Sequence, residues 1–101
     1  MKQIKLEKPI DGPNGQKIET IALRPPRYGD YIDIGLPSTF VVLKDGGGFE
    51  QETPTVIRDW IERLWDGDPN FLYGLSLRDT LALRDAVIDF FREARAPLAP
   101  E

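Results

Sequence analysis

Apolar residues change their spacing halfway along this chain. In residues 3–10 and 17–23 they alternate with polar ones: Ile4, Leu6 and Ile10, then Ile18, Ile21 and Leu23 after a one-residue change of phase at Thr20-Ile21. A period of two is that of a half-buried strand. The intervening "DGPNG" is dense in residues that fix a turn or tolerate positive φ, so the two runs read as an antiparallel hairpin, with a bulge expected where the phase slips. Pro25-Pro26 ends the second strand, because proline supplies no ladder donor. Residues 27–34 then have room for one or two helical turns, with Asp30 either capping them or pairing with Arg27. Residues 39–43 are β-branched and aromatic, and Asp45-Gly46-Gly47-Gly48 follows, which predicts a third strand and room for a second hairpin.

Beyond residue 53 the period becomes that of a helix. Ile57, Trp60, Ile61, Leu64 and Trp65 recur at spacings of three and four, behind Thr53 as cap and Pro54 in the first turn, with Gly67 placed to stop the helix. Asp68-Pro69 opens one further turn through Tyr73, ended by Gly74. Ser76 and Asp79 form a weak capping box for a last helix from Leu77 to about residue 94, whose apolar positions include Leu81, Val87, Phe90 and Phe91. The order predicts an α+β domain over residues 1–96: an N-terminal hairpin within a small antiparallel sheet of three or four strands, two main helices and a short helical turn, and a flexible tail at 97–101.

Composition narrows the chemistry. The 101 residues contain no histidine and no cysteine. That removes disulfides, thiolate nucleophiles, most zinc sites and the usual general base near neutral pH. Acidic residues at helical spacing, such as Asp59, Glu62 and Asp66, interleave with Arg58 and Arg63, the pattern of a solvated helix face rather than of an acid–base pair. Ser38 and Ser76 lack the partners of a nucleophile. The glycine triplet lacks the Lys-Ser or Lys-Thr of a phosphate-binding loop and reads as a hairpin tip. These absences argue against an enzyme, a cofactor or a metal. Net charge is −4 and the pI about 4.8, which disfavours a nucleic-acid partner; Lys2, Lys5 and Lys8 read as solvent-facing decoration of an edge strand. No stretch has the roughly 20 apolar residues of a membrane span, and the pattern of a signal peptide is missing, so a cytoplasmic protein is expected.

Aromatic residues carry the positive signal. Trp60 and Trp65 lie about 140° apart around a helix, so one is expected in the core and the other near its rim. With Phe71, Tyr73, Phe90 and Phe91 they supply more apolar surface than one small sheet needs. A partly uncovered aromatic is a partner anchor, and surplus apolar helix surface is what a helix-binding groove requires. Arg24, Arg27 and Tyr28 flank the proline pair and are expected at the lip of that groove, where the chain leaves the hairpin.

The ordered combination of an opening hairpin, Leu23, Arg24, Pro26, Gly29 and Asp30 in "LRPPRYGD", an amphipathic helix, and Leu75, Leu77, Asp79, Phe90 and Phe91 in "LSLRDTLALRDAVIDFF" resembles the tail assembly chaperones of Mu-like and other contractile-tail bacteriophages and prophages. The resemblance covers roughly residues 3–34 and 54–94. It implies a non-enzymatic protein that binds the tape measure protein and keeps this long helical chain soluble in the bacterial cytoplasm until tail tube protein, a second candidate partner, polymerises around it. A structural tail subunit retained in the particle, such as a completion or tube-associated protein, is the alternative. Self-association through the helical half is left open.

Overall fold

The computed structural model describes residues 1–97, so the expected tail lies, beyond Pro97, outside the described residues. Strands β1 (Lys2–Asp11) and β2 (Lys17–Leu23) form the N-terminal antiparallel hairpin, closed by a 3₁₀ turn at Pro13–Gly15. Asn14 and Gly15 both take positive φ in that turn, which accounts for the residue types there. A short helix α1 (Tyr28–Ile34) follows the proline pair. Strands β3 (Ser38–Val42) and β4 (Gly48–Glu52) form a second hairpin. Helix α2 (Pro54–Leu64), a 3₁₀ helix at Pro69–Gly74 and helix α3 (Leu77–Arg95) complete the chain.

The α+β class and the opening hairpin agree with the sequence pattern, but the single sheet of three or four strands does not form. The strands make two separate two-stranded sheets. The reason lies in where apolar residues are concentrated. Leu6, Ile10, Ile21 and Leu23 on the first hairpin meet Ile57, Trp60, Ile61 and Leu64 of α2 and Leu83, Ala86 and Val87 of α3 in one buried cluster. The second hairpin adds no residue to that cluster. It stands away from the body, and the radius of gyration of 15.7 Å exceeds the ~13 Å of a compact chain of this length.

The first ladder does slip, but not at Thr20-Ile21, which pair in register with Lys5 and Ile4, and the extra residues belong to the other strand. Pairing runs from Lys2↔Leu23 to Lys5↔Thr20 and resumes at Ile10↔Ile18, so residues 6–9 of β1 bulge opposite Glu19 alone. Pro9 falls inside the bulge, where its missing donor costs no ladder bond. Helix α2 starts after Thr53 as expected, though the threonine side chain makes no capping bond, and it ends at Leu64 with Trp65 as its C-cap, short of Gly67. Gly67 serves instead to admit the Trp65 ring, whose atoms occupy the space a Cβ there would need. The 3₁₀ helix opens with Asp68 accepting a bond from the Asn70 amide at 2.9 Å and ends at Gly74.

Candidate functional site: two apolar clefts and the aspartates that hold them

Among the described residues, the buried charged side chains are Asp30 and Asp79, 4% and 3% exposed. Asp30 accepts both ends of the Arg24 guanidinium at 2.8 and 2.9 Å, an Arg63 Nη1 at 3.2 Å and the Arg27 amide at 2.9 Å. Arg63 also donates to Asp33 at 3.0 Å. A two-pronged arginine pair of this kind fixes orientation as well as distance. The Arg24 hydrogen bonds chiefly hold the Asp30 carboxyl well below the ordinary aspartate value of 3.8, against the opposing effect of burial. Asp30 therefore caps α1, one of the two roles expected of it, and also forms ion pairs, with Arg24 and Arg63 rather than with Arg27. The Arg24 amide donates to the Leu64 carbonyl at 3.0 Å, tying the end of β2 to the end of α2.

Asp79 holds the bulge of the first hairpin. Ser76 Oγ accepts from the Asp79 amide at 3.2 Å, which is half of a capping box. The Asp79 carboxylate does not return the bond to Ser76; it accepts from the amides of Glu7 at 2.9 Å and Lys8 at 3.1 Å. Those are donors that the bulge removes from the ladder. The Glu7 amide is the main influence keeping the Asp79 carboxyl below its usual value. The two aspartates thus fasten the hairpin to the helices.

The residues expected at a partner surface are divided by the structure. Trp60 is fully buried, donates its indole N–H to the Gly35 carbonyl at 2.9 Å and meets Phe91 edge-on at 5.1 Å between ring centres. It is a core residue, which removes it from the contact set. Trp65, Phe71, Phe90 and Phe91 are half-buried against the core, and Lys2 Nζ sits 5.0 Å above the Phe90 ring. Arg24 is engaged with Asp30. Tyr28 and Tyr73 are open to solvent at 81% each, and Arg27 is exposed beside Tyr28.

Of the expected residues, Tyr73 lines one surface cleft and Phe90 and Phe91 line another. A trough of about 400 Å³ lies between α2 and α3, with residues of the 3₁₀ helix in its wall. Pro54, Ile57, Ile61, Leu72 and Leu75 line it, with Tyr73, Leu77 and Leu81 along its lips. Arg58, Glu62, Glu52 and Arg84 add charge of both signs; Arg84 is held by Glu52 at 2.8 Å, which lowers the glutamate's pKa. A second cleft of about 480 Å³ lies at the proline pair, lined by Pro25, Pro26, Tyr31, Phe90 and Phe91 near the end of α3. Arg24, Arg27, Tyr28, Trp65 and Phe71 line neither cleft, whereas Pro25 and Pro26 beside the first three line the second.

The aromatic reading missed the aliphatic residues of the trough. Leu77 and Leu81 are 73% and 45% exposed, one turn apart on α3. A spacing of four on the side away from Leu83 and Val87 was the available signal. Among the described residues, no group of three His, Cys, Asp or Glu is placed to hold a metal ion, and no helix is long and apolar enough to cross a membrane. No protein-family model, no curated protein and no solved structure matches the chain.

Proposed function

We propose that this protein is a non-catalytic chaperone of phage tail assembly that holds amphipathic segments of the tape measure protein in the α2–α3 trough. The observation that carries the reading is the trough itself: an open apolar channel on the helical half, with exposed Leu77, Leu81 and Tyr73 on its lips. An amphipathic helix fills such a channel with anchors at positions i, i+3, i+4 and i+7. Rim charges of both signs suit a client helix whose polar face is mixed. The identity of the client comes from the resemblance to tail assembly chaperones carried by the "LRPPRYGD" and "LSLRDTLALRDAVIDFF" stretches.

Reversibility follows from shape. A channel open along one side buries only part of a helix, so each contact is weak, and many such contacts along a long client add up. The net charge of −4 keeps decorated clients apart and in solution. Growth of the tube then displaces the bound copies one at a time, in the bacterial cytoplasm where tails are built.

Co-expression with the tape measure protein, followed by pull-down and size-exclusion chromatography with light scattering, tests this. The expected result is a co-eluting complex that keeps the client soluble, lost in Leu81→Asp and Leu77→Asp with the thermal transition of the chain unchanged. A soluble client that ignores the chain sinks the proposal, and recovery of the chain in purified mature tails selects the structural-subunit alternative.

A further inference from the structure

The β3–β4 arm presents apolar side chains to solvent on both faces. Paired residues of an antiparallel ladder share a face, so Phe40 and Val42 lie on one side, and Val41 with Phe49 on the other. Phe40, Val42 and Phe49 are 63%, 73% and 48% exposed. A two-stranded hairpin without a covering layer is marginal in water. Among the described residues nothing adds a third strand to it.

Its two edges differ in chemistry. The Leu43 amide donates to the Gly47 carbonyl at 2.7 Å across the turn. Because antiparallel residues alternate between facing the partner strand and facing away, Val41 and Thr39 direct their backbone groups toward β4, while Ser38, Phe40 and Val42 direct theirs to the open edge. Residues 38–43, "STFVVL", hold no charge, proline or glycine, the make-up of an unprotected pairing edge. The β4 strand holds Glu50 and Glu52.

We propose that the open edge of β3 pairs antiparallel with the same edge of a second copy of this chain, joining two arms into one four-stranded sheet. The distribution of charge selects this occupant. Two β4 edges brought together set glutamates against glutamates, whereas two β3 edges meet with no charge on either side. An uncharged strand also gives an acidic or basic partner nothing to recognise, but it is complementary to itself. A two-fold axis at Phe40 places Ser38 opposite Val42 of the second copy and the two Phe40 rings side by side on one face, the isologous arrangement of a symmetric dimer. Self-association thereby falls to the arm and leaves the helical half free.

Light scattering on the purified chain over a wide concentration range, with amide exchange measured alongside, is the test. Wild-type mass should climb from the 11.5 kDa monomer toward twice that value, with the Phe40 and Val42 amides exchanging more slowly as concentration rises. Val42→Pro removes an outward-facing donor and no bond within the hairpin; it should halve the mass and leave the thermal transition in place. Leu81→Asp should keep the dimer. A chain that stays monomeric throughout, a Val42→Pro protein that remains dimeric, or a Leu81→Asp protein that dissociates would each overturn the proposal. A monomer whose β3 amides become protected only on adding the tape measure protein would overturn it too, and would give the edge to the client. Only this chain is present in the first three measurements, so their outcome is independent of the chaperone reading.

Discussion

The two hairpins are built from the same kind of ladder, yet one is the foundation of the molecule and the other is its most exposed part. Ile21 and Leu23 of the first are fully buried beneath α2 and α3, and it is held by Asp79 at its bulge and by the Arg24 amide on Leu64 at its open end. The second has five residues in each strand and no buried side chain. Cross-strand hydrogen bonds only replace bonds to water, so their net contribution is small. The difference between the hairpins is the helical layer on one and not the other, and local stability should follow that layer.

The largest expected effect breaks the covered side. Trp60→Ala empties the space under both helices and leaves the Gly35 carbonyl without its donor; a loss of ~3–5 kcal/mol is expected from chemical denaturation. Asp30→Asn keeps the shape but weakens the arginine pair, and should cost about 1–3 kcal/mol, with the joint at Pro25-Pro26 loosening before the bulge end does. Asp79→Ala strands the Glu7 and Lys8 amides and should lower the melting temperature by several degrees, while Asp85→Ala on the exposed side of α3 should leave it nearly unchanged. A melting temperature insensitive to Asp79→Ala would mean that the bulge is not fastened through this carboxylate.

Acid should loosen the carboxylate fastenings of both hairpins, two at the first and one at the second. Both Asp30 and Asp79 are depressed in the folded state below 3.8, so the unfolded chain takes up protons first as pH falls. Their stabilisation is fully present above that value and is lost progressively below about pH 4. Glu52, depressed by Arg84 at the base of the arm, adds to the same trend. Unfolding free energy should therefore fall on acidification, and the double variant Asp30→Asn, Asp79→Asn should show a flatter slope; an unaltered slope would remove the two aspartates from the account.

Much of this contrast was written in the sequence, and some of it was not. Alternation at Ile4, Leu6, Ile18, Ile21 and Leu23 placed the first hairpin, and the three-and-four spacing of Ile57, Trp60, Ile61 and Leu64 placed α2, because period reports which side of an element is buried. It does not report what covers that side. Residues 38–43 have high strand propensity, so a third strand was legible, but nothing local distinguishes a strand that joins the first sheet from one that pairs only with its neighbour. The aspartates at 30 and 79 were visible as capping residues; their long-range partners, Arg63 and the bulge amides, are separated from them by 33 and about 70 residues. Aromatic size drew attention to Trp60, which the core absorbed, while the trough is edged by leucines whose role depends on a tertiary neighbour.

The smallest global effect gives the sharpest separation of the two hairpins. A methyl group added at Gly48 would lie 2.6 Å from two carbons of the Phe40 ring and 2.7 Å from the Val41 carbonyl oxygen. Gly48→Ala must therefore displace Phe40 or open the β3–β4 ladder, since the carbonyl belongs to the strand itself. If the arm is energetically separate, the tryptophan-monitored unfolding of the body should shift by no more than ~0.5 kcal/mol, while the amides of Phe49 and Gln51 lose their protection. A shift as large as that of Asp30→Asn would show instead that arm and body unfold as one cooperative unit, with the salt bridge from Glu52 to Arg84 as the connection between them.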